Sequence, residues 1–97
     1  MTRIVFGNRA IADIERLTDF LVTSLPADAA DTAGVIVDGL SVLVRHPEIG
    51  RPAQEGLREL VISRGRTGYV ALYDYDEQND SVLIWAIRHQ RESGYKH

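Results

Sequence analysis

The 97 residues contain no cysteine, which excludes disulfides, thiolate metal sites and a cysteine nucleophile. Lysine occurs once, at Lys96, and 11 basic side chains against 14 acidic ones leave a formal charge of -3. That balance lacks the basic excess of an autonomous nucleic-acid binder. The deficit is uneven: Arg3, Arg9 and Arg16 face six acids between Met1 and Val44, whereas eight basic and eight acidic residues balance from Arg45 onward. No apolar run is long enough to span a bilayer, and the opening MTRIVFGNRAIADIERL has no uninterrupted apolar signal core. A cytoplasmic location with no membrane partner is the expectation. His46, His89 and His97 lack the close spacing of a ligand set, so neither a metal nor a cofactor is expected.

What is present suits one small folded unit. A hydrophobic content of 44% with 26% charged residues is an ordinary globular balance, and the length fits a single domain over residues 1–97. RIVF, closed by Gly7, has the composition of a first strand. Asn8 is placed to cap a helix whose apolar positions are Ala10, Ile14, Leu17, Leu21 and Leu25, with Arg9, Asp13, Glu15, Arg16 and Asp19 on the expected solvated side. Pro26 interrupts the pattern. Ala30, Ala33, Val37, Leu40 and Val44 resume it, with Asp28 and Asp31 near the positive end of the second helix.

RHPEIGRPAQEG ends that helix in a loop, and His46 and Pro47 are assigned to its termination. Three strand-like runs follow: Leu57–Ser63, Gly68–Tyr75 and Ser81–His89, joined by hairpin-length connections. The order strand, helix, helix, strand, strand, strand predicts an α+β domain, with an antiparallel helical hairpin packed on a mainly antiparallel sheet. The last run is apolar on both faces, as a central strand requires. Tyr69, Tyr73 and Tyr75 share one alternation, and they and Trp85 are expected to pack within the sheet.

HPEIGRP after two helices, then LRELVI, then GYVALYDYD, then a hydrophobic strand running into IRHQRESGY, is an ordered set that resembles the RelE/ParE superfamily of type II toxins. The resemblance extends from the first strand to Tyr95. It implies a growth-inhibiting, plasmid-stabilising toxin assembled with a cognate antitoxin as a hetero-oligomer. RelE-like members cut mRNA on the ribosome, whereas ParE-like members poison DNA gyrase without being nucleases. The fold does not choose between them.

Cleavage at an RNA phosphodiester needs a base, cationic stabilisation of the phosphorane and an acid. Arg58, His89, Arg91 and Tyr95 are the candidates for those roles. Where ribonuclease members carry an arginine after the tyrosine of a YRLVY-like strand, this chain has Val70 in YVALY, and Arg64 and Arg66 in the preceding turn are the nearest substitutes. The ParE-like, gyrase-directed alternative is therefore favoured, with no chemistry done by the protein. Arg58, Arg64, Arg66, Arg88, Arg91 and Tyr95 then become candidate contacts to target or antitoxin. A third possibility is an inactive antitoxin-binding module. The structural alternatives for the same residues are ion pairing of Arg88 or Arg91 with Glu92, Glu59 or Asp74, a hydrogen-bonded His89, and an internal partner for Arg58 on its apolar row.

Overall fold

A computed structural model of the chain describes residues 1–24, 32–64, 67–92 and 94–95. Strand β1 (Arg3–Phe6) leads into helix α1 (Asn8–Ser24) and helix α2 (Thr32–Leu40), the latter extended by a 3-10 turn at Ser41–Val44. A two-residue strand β2 (Arg51–Pro52) precedes β3 (Arg58–Arg64), β4 (Thr67–Asp76) and β5 (Ser81–His89). The sheet order is β1-β5-β4-β3-β2, antiparallel except where β1 runs parallel to β5. The expected α+β architecture is present. The junction at Pro26, with Asp28 and Asp31, lies outside the described residues.

Both helices cover one face of the sheet. Ala10 and Leu17 of α1 and Ile36, Leu40 and Leu43 from the second helical segment bury against Ile62, Tyr69, Ala71, Tyr73, Val82, Ile84 and Ile87. The tyrosine expectation holds for Tyr69 and Tyr73, both fully buried there. α2 presents a different stripe from the expected one. Thr32, Ile36 and Leu40 are buried, whereas Ala33 and Val37 are exposed. Both registers share Leu40 and have helical spacing, but the observed one buries Ile36 and Leu43 and therefore removes more apolar area from water. Gly39 permits the close approach: a Cβ there would lie 2.5 Å from Cγ2 of Ile62.

Asp13 is a second departure, since it is buried rather than solvated. It belongs to the inner stripe of α1, three residues after Ala10 and four before Leu17. Trp85 is a third. The register shifts between the pairs Leu72↔Ala86 and Tyr73↔Ile84, so Trp85 is the extra residue of a bulge and is 43% exposed on the outer face. Among the described residues no helix is long and apolar enough to cross a membrane.

Candidate docking surface

The bulge sorts the end of β5 between the two faces. Ile87 and His89 turn toward the helices, in register with Ala71 and Tyr69, while Ala86 and Arg88 turn outward beside Leu72 and Val70. A small apolar nest forms on the outer face from Leu57, Leu72 and Ala86, with Ala53 and Tyr95 packed against it. Tyr95 reaches this nest because the chain reverses after β5. Arg88 organises that reversal through Nη1, which donates to the carbonyls of His89, Gln90 and Glu92 at 3.3, 3.4 and 3.2 Å. Its guanidinium also lies 5.3 Å from the Tyr95 ring centroid, a favourable cation–π separation.

Glu59 sits at the centre of this face. One carboxylate oxygen accepts from the Tyr95 hydroxyl at 2.7 Å and the other from Arg51 Nε at 3.2 Å. Burial and then the Glu59 hydrogen bond and charge hold the Tyr95 phenol far above the ordinary tyrosine range. The hydroxyl is thus neutral and directed inward. Val70 is buried and paired with Arg88, so the position that departs from the ribonuclease pattern is not at the surface.

His89 lies at the opposite face. Its ring meets Tyr69 edge-on at 5.6 Å, and its Nδ1 accepts from the Arg91 N–H at 3.1 Å. Burial, reinforced by the Arg91 charge and opposed by Glu92, lowers its pKa from the usual histidine value. Arg91 itself is exposed in the turn. Arg58 is on the inner row of β3, as its alternation with Leu60 and Ile62 requires, and donates to the Gly50 carbonyl at 2.8 Å with Glu48 3.7 Å away. It therefore anchors the HPEIGRP loop. The same loop is held by Tyr73, whose hydroxyl accepts from the Gly50 N–H at 2.8 Å. His46 contributes a backbone N–H to the Val42 carbonyl, while its side chain is exposed.

The structure thus groups Arg88 with Tyr95, places Arg91 next to them along the chain, and separates Arg58 and His89 from that pair by the thickness of the sheet. Arg58 and His89 are also apart from each other: their β4 partners, Tyr73 and Tyr69, are four residues distant, on the order of 13 Å. Arg64 pairs with Thr67 at the β3–β4 turn, and Arg66 lies outside the described residues. Three participants escaped the sequence patterns. Asp13 accepts the Ile87 N–H at 2.8 Å, Arg16 donates to Glu92 at 2.7 Å, and Glu92 accepts the His89 N–H at 2.8 Å. A carboxylate at an inner helical position is the signal that would have singled out Asp13. No group of three histidine or acidic side chains among the described residues could hold a metal.

Two helices cover one face of a five-stranded sheet, and an arginine- and tyrosine-bearing segment folds over the other. Residues 4–94 match the family model of the ParE toxin of the type II toxin–antitoxin system parDE, and the chain belongs to that family. It is similar to Toxin RelE3 of Caulobacter vibrioides, at 33% identity over 92 residues covering 95% of this chain and 98% of the relative. Among solved structures it is similar to the chromosomal ParDE toxin–antitoxin system from P. aeruginosa, with a TM-score of 0.74, 24% identity, and coverage of 92% of this chain and 96% of the other. The toxin–antitoxin complex RelBE2 from Mycobacterium tuberculosis matches with a TM-score of 0.56, 23% identity, and coverage of 92% and 98%. Both likenesses establish the shared fold.

Proposed function

We propose that this type II toxin acts by docking on DNA gyrase, with Arg88, Arg91 and Tyr95 in the contact surface, and that a cognate antitoxin neutralises it. Glu59 is the observation that carries the proposal. A scissile RNA phosphate approaching Arg88 and Tyr95 would meet a carboxylate 2.7 Å from the tyrosine hydroxyl, and like charge there opposes the transition state that a nuclease must stabilise. Tyr95 fares no better as an acid, because its proton is already donated to Glu59 and its pKa is far above the operating range. Docking needs neither condition. It asks only for an ordered surface with an aromatic and arginine anchors, the residue types that dominate interface energies.

Supercoiling of relaxed plasmid by gyrase, in the presence of the purified antitoxin-free toxin, tests the proposal. Inhibition with trapped cleaved complexes is expected, and Tyr95→Ala is expected to weaken inhibition at least tenfold without mRNA cleavage at any stage. Unchanged gyrase inhibition by Tyr95→Ala would remove that residue from the surface. The second reading, ribosome-dependent mRNA cleavage, is favoured by the name of the curated relative, Toxin RelE3. It requires His89→Ala or Arg91→Ala to lower cleavage by roughly a hundredfold. Growth arrest with no effect on gyrase would transfer support to it, and a chain that binds antitoxin but arrests nothing would be the inactive module.

A further inference from the structure

β1 covers only part of the edge of β5. Its last paired residue, Phe6, lies opposite Ile84, and Gly7 ends the ladder by donating to the Ile84 carbonyl at 2.9 Å. From there to His89, β5 has β4 on one side and, among the described residues, no strand on the other. The outward main-chain groups of Ile87 and His89 must therefore find partners that are not strands. Three side chains supply them. Asp13 accepts the Ile87 N–H at 2.8 Å, Arg16 Nη2 reaches the Ile87 carbonyl at 3.4 Å, and Glu92 Oε1 accepts the His89 N–H at 2.8 Å. The second oxygen of Glu92 accepts from Arg16 Nη1 at 2.7 Å.

Glu92 consequently joins α1 to the end of β5, and it stands one residue past Arg91 and three before Tyr95. We propose that the Arg16–Glu92 pair positions the C-terminal docking segment, so that a side chain on the first helix sets target affinity without touching the target. The inference rests on the gyrase-docking proposal above. Without Glu92 the His89 N–H loses its acceptor, and without either partner the turn that Arg88 organises through three carbonyls loses its tie to α1. Arg91 and Tyr95 would then have to be ordered on binding, which lowers affinity. A pair that only stabilised the fold would lower the melting temperature and leave the folded molecule's target affinity as it was.

Full-length Arg16→Met and Glu92→Met test this, with Arg16→Lys as the variant that retains a charge partner for Glu92. Gyrase affinity is expected to fall about tenfold in the first two and less than threefold in Arg16→Lys, with the folded fraction held above nine-tenths by working well below the melting temperature. In an ultraviolet pH titration, one more tyrosine is expected to ionise in the ordinary range near ~10 in Arg16→Met and Glu92→Met, because Tyr95 leaves Glu59. Gyrase affinity within twofold of wild type in both variants would overturn the proposal. Should Arg16→Met fail to fold, Glu92→Met and Arg16→Lys decide it on the same measures. If wild-type toxin has no affinity for gyrase, the gyrase proposal fails separately. The tyrosine titration then judges the clasp: an extra ionising tyrosine in the variants sustains it, and an unchanged titration overturns it.

Discussion

Replacing Asp13 separates two accounts of a buried carboxylate. Asp13 is 4% exposed, accepts the Ile87 N–H at 2.8 Å through Oδ2, and has Arg16 3.5 Å from Oδ1. Asp13→Ala leaves the Ile87 N–H buried without an acceptor, a loss of roughly 1–3 kcal/mol. Asp13→Asn keeps a side-chain oxygen for that N–H and gives up only the charge, so its loss should be about 1 kcal/mol or less. A domain of this length shifts by roughly 4–8 °C per kcal/mol, which places the alanine variant on the order of 8–16 °C below wild type, taking ~2 kcal/mol as its loss. Urea denaturation followed by circular dichroism measures both, and an unchanged slope would show that the same surface is exposed in each variant. If Asp13 acted only as the partner of Arg16, whose side chain is 33% exposed, the two variants would lose equal amounts, below about 1 kcal/mol. Equal losses would therefore refute the capping of β5 by Asp13.

Three further outcomes follow from local geometry. Tyr73→Phe removes the acceptor of the Gly50 N–H and should cost about 1–2 kcal/mol in urea melts, while Gly50→Ala should cost more because its Cβ would lie 2.6 Å from the Tyr73 hydroxyl and 2.8 Å from the Glu59 carbonyl; a neutral Gly50→Ala would show that the loop is not seated there. Gly39→Ala gains roughly 1 kcal/mol of helix propensity, yet the 2.5 Å approach to Ile62 should make it destabilising by about 1–3 kcal/mol overall, and a stabilised variant would contradict the packing of α2 on β3. His89 has a lowered pKa in the folded state, so the unfolded chain binds its proton more readily; the associated stability is full above about pH 6.5 and is lost as pH falls from there through the folded value. Urea midpoints between pH 7.5 and 5 should decline less steeply in His89→Gln than in wild type, and equal slopes would refute the assignment.

The order of the longer elements was legible because each of β1, β3, β4 and β5 carries a β-branched or aromatic run and each helix a three- and four-residue apolar period. What escaped was non-local. Nothing in RIVF says that it pairs in parallel with Ser81–Ile84, since that partner lies at the far end of the chain. Arg51–Pro52 has no strand pattern and is fixed only by lying opposite Arg58 and Glu59. The α2 stripe offered two registers differing in bulk, and only the facing surface of Ile62 and its neighbours chose between them. Among the candidate site residues, Arg88 and Tyr95 were named by type and position. The hydrogen bond of Tyr95 to Glu59 was not, because it joins β3 to the C-terminal segment across 36 residues.

That relation weighs on mechanism through the work needed to expose a catalytic surface. A proton-donating Tyr95 would have to leave both Glu59 and the nest of Leu57, Leu72 and Ala86. The hydrogen bond to Glu59 alone is worth about 0.5–1.5 kcal/mol net, lost before any substrate is held. Glu59 would remain on the same face afterward, and its charge would still oppose the phosphate. A docking toxin meets no such cost, since the side chains that stiffen the segment also hold Arg91 exposed beside it. The family fold is common to both activities. On the proposed reading, the carboxylate of Glu59 and the buried Val70, rather than the fold, favour docking over cleavage.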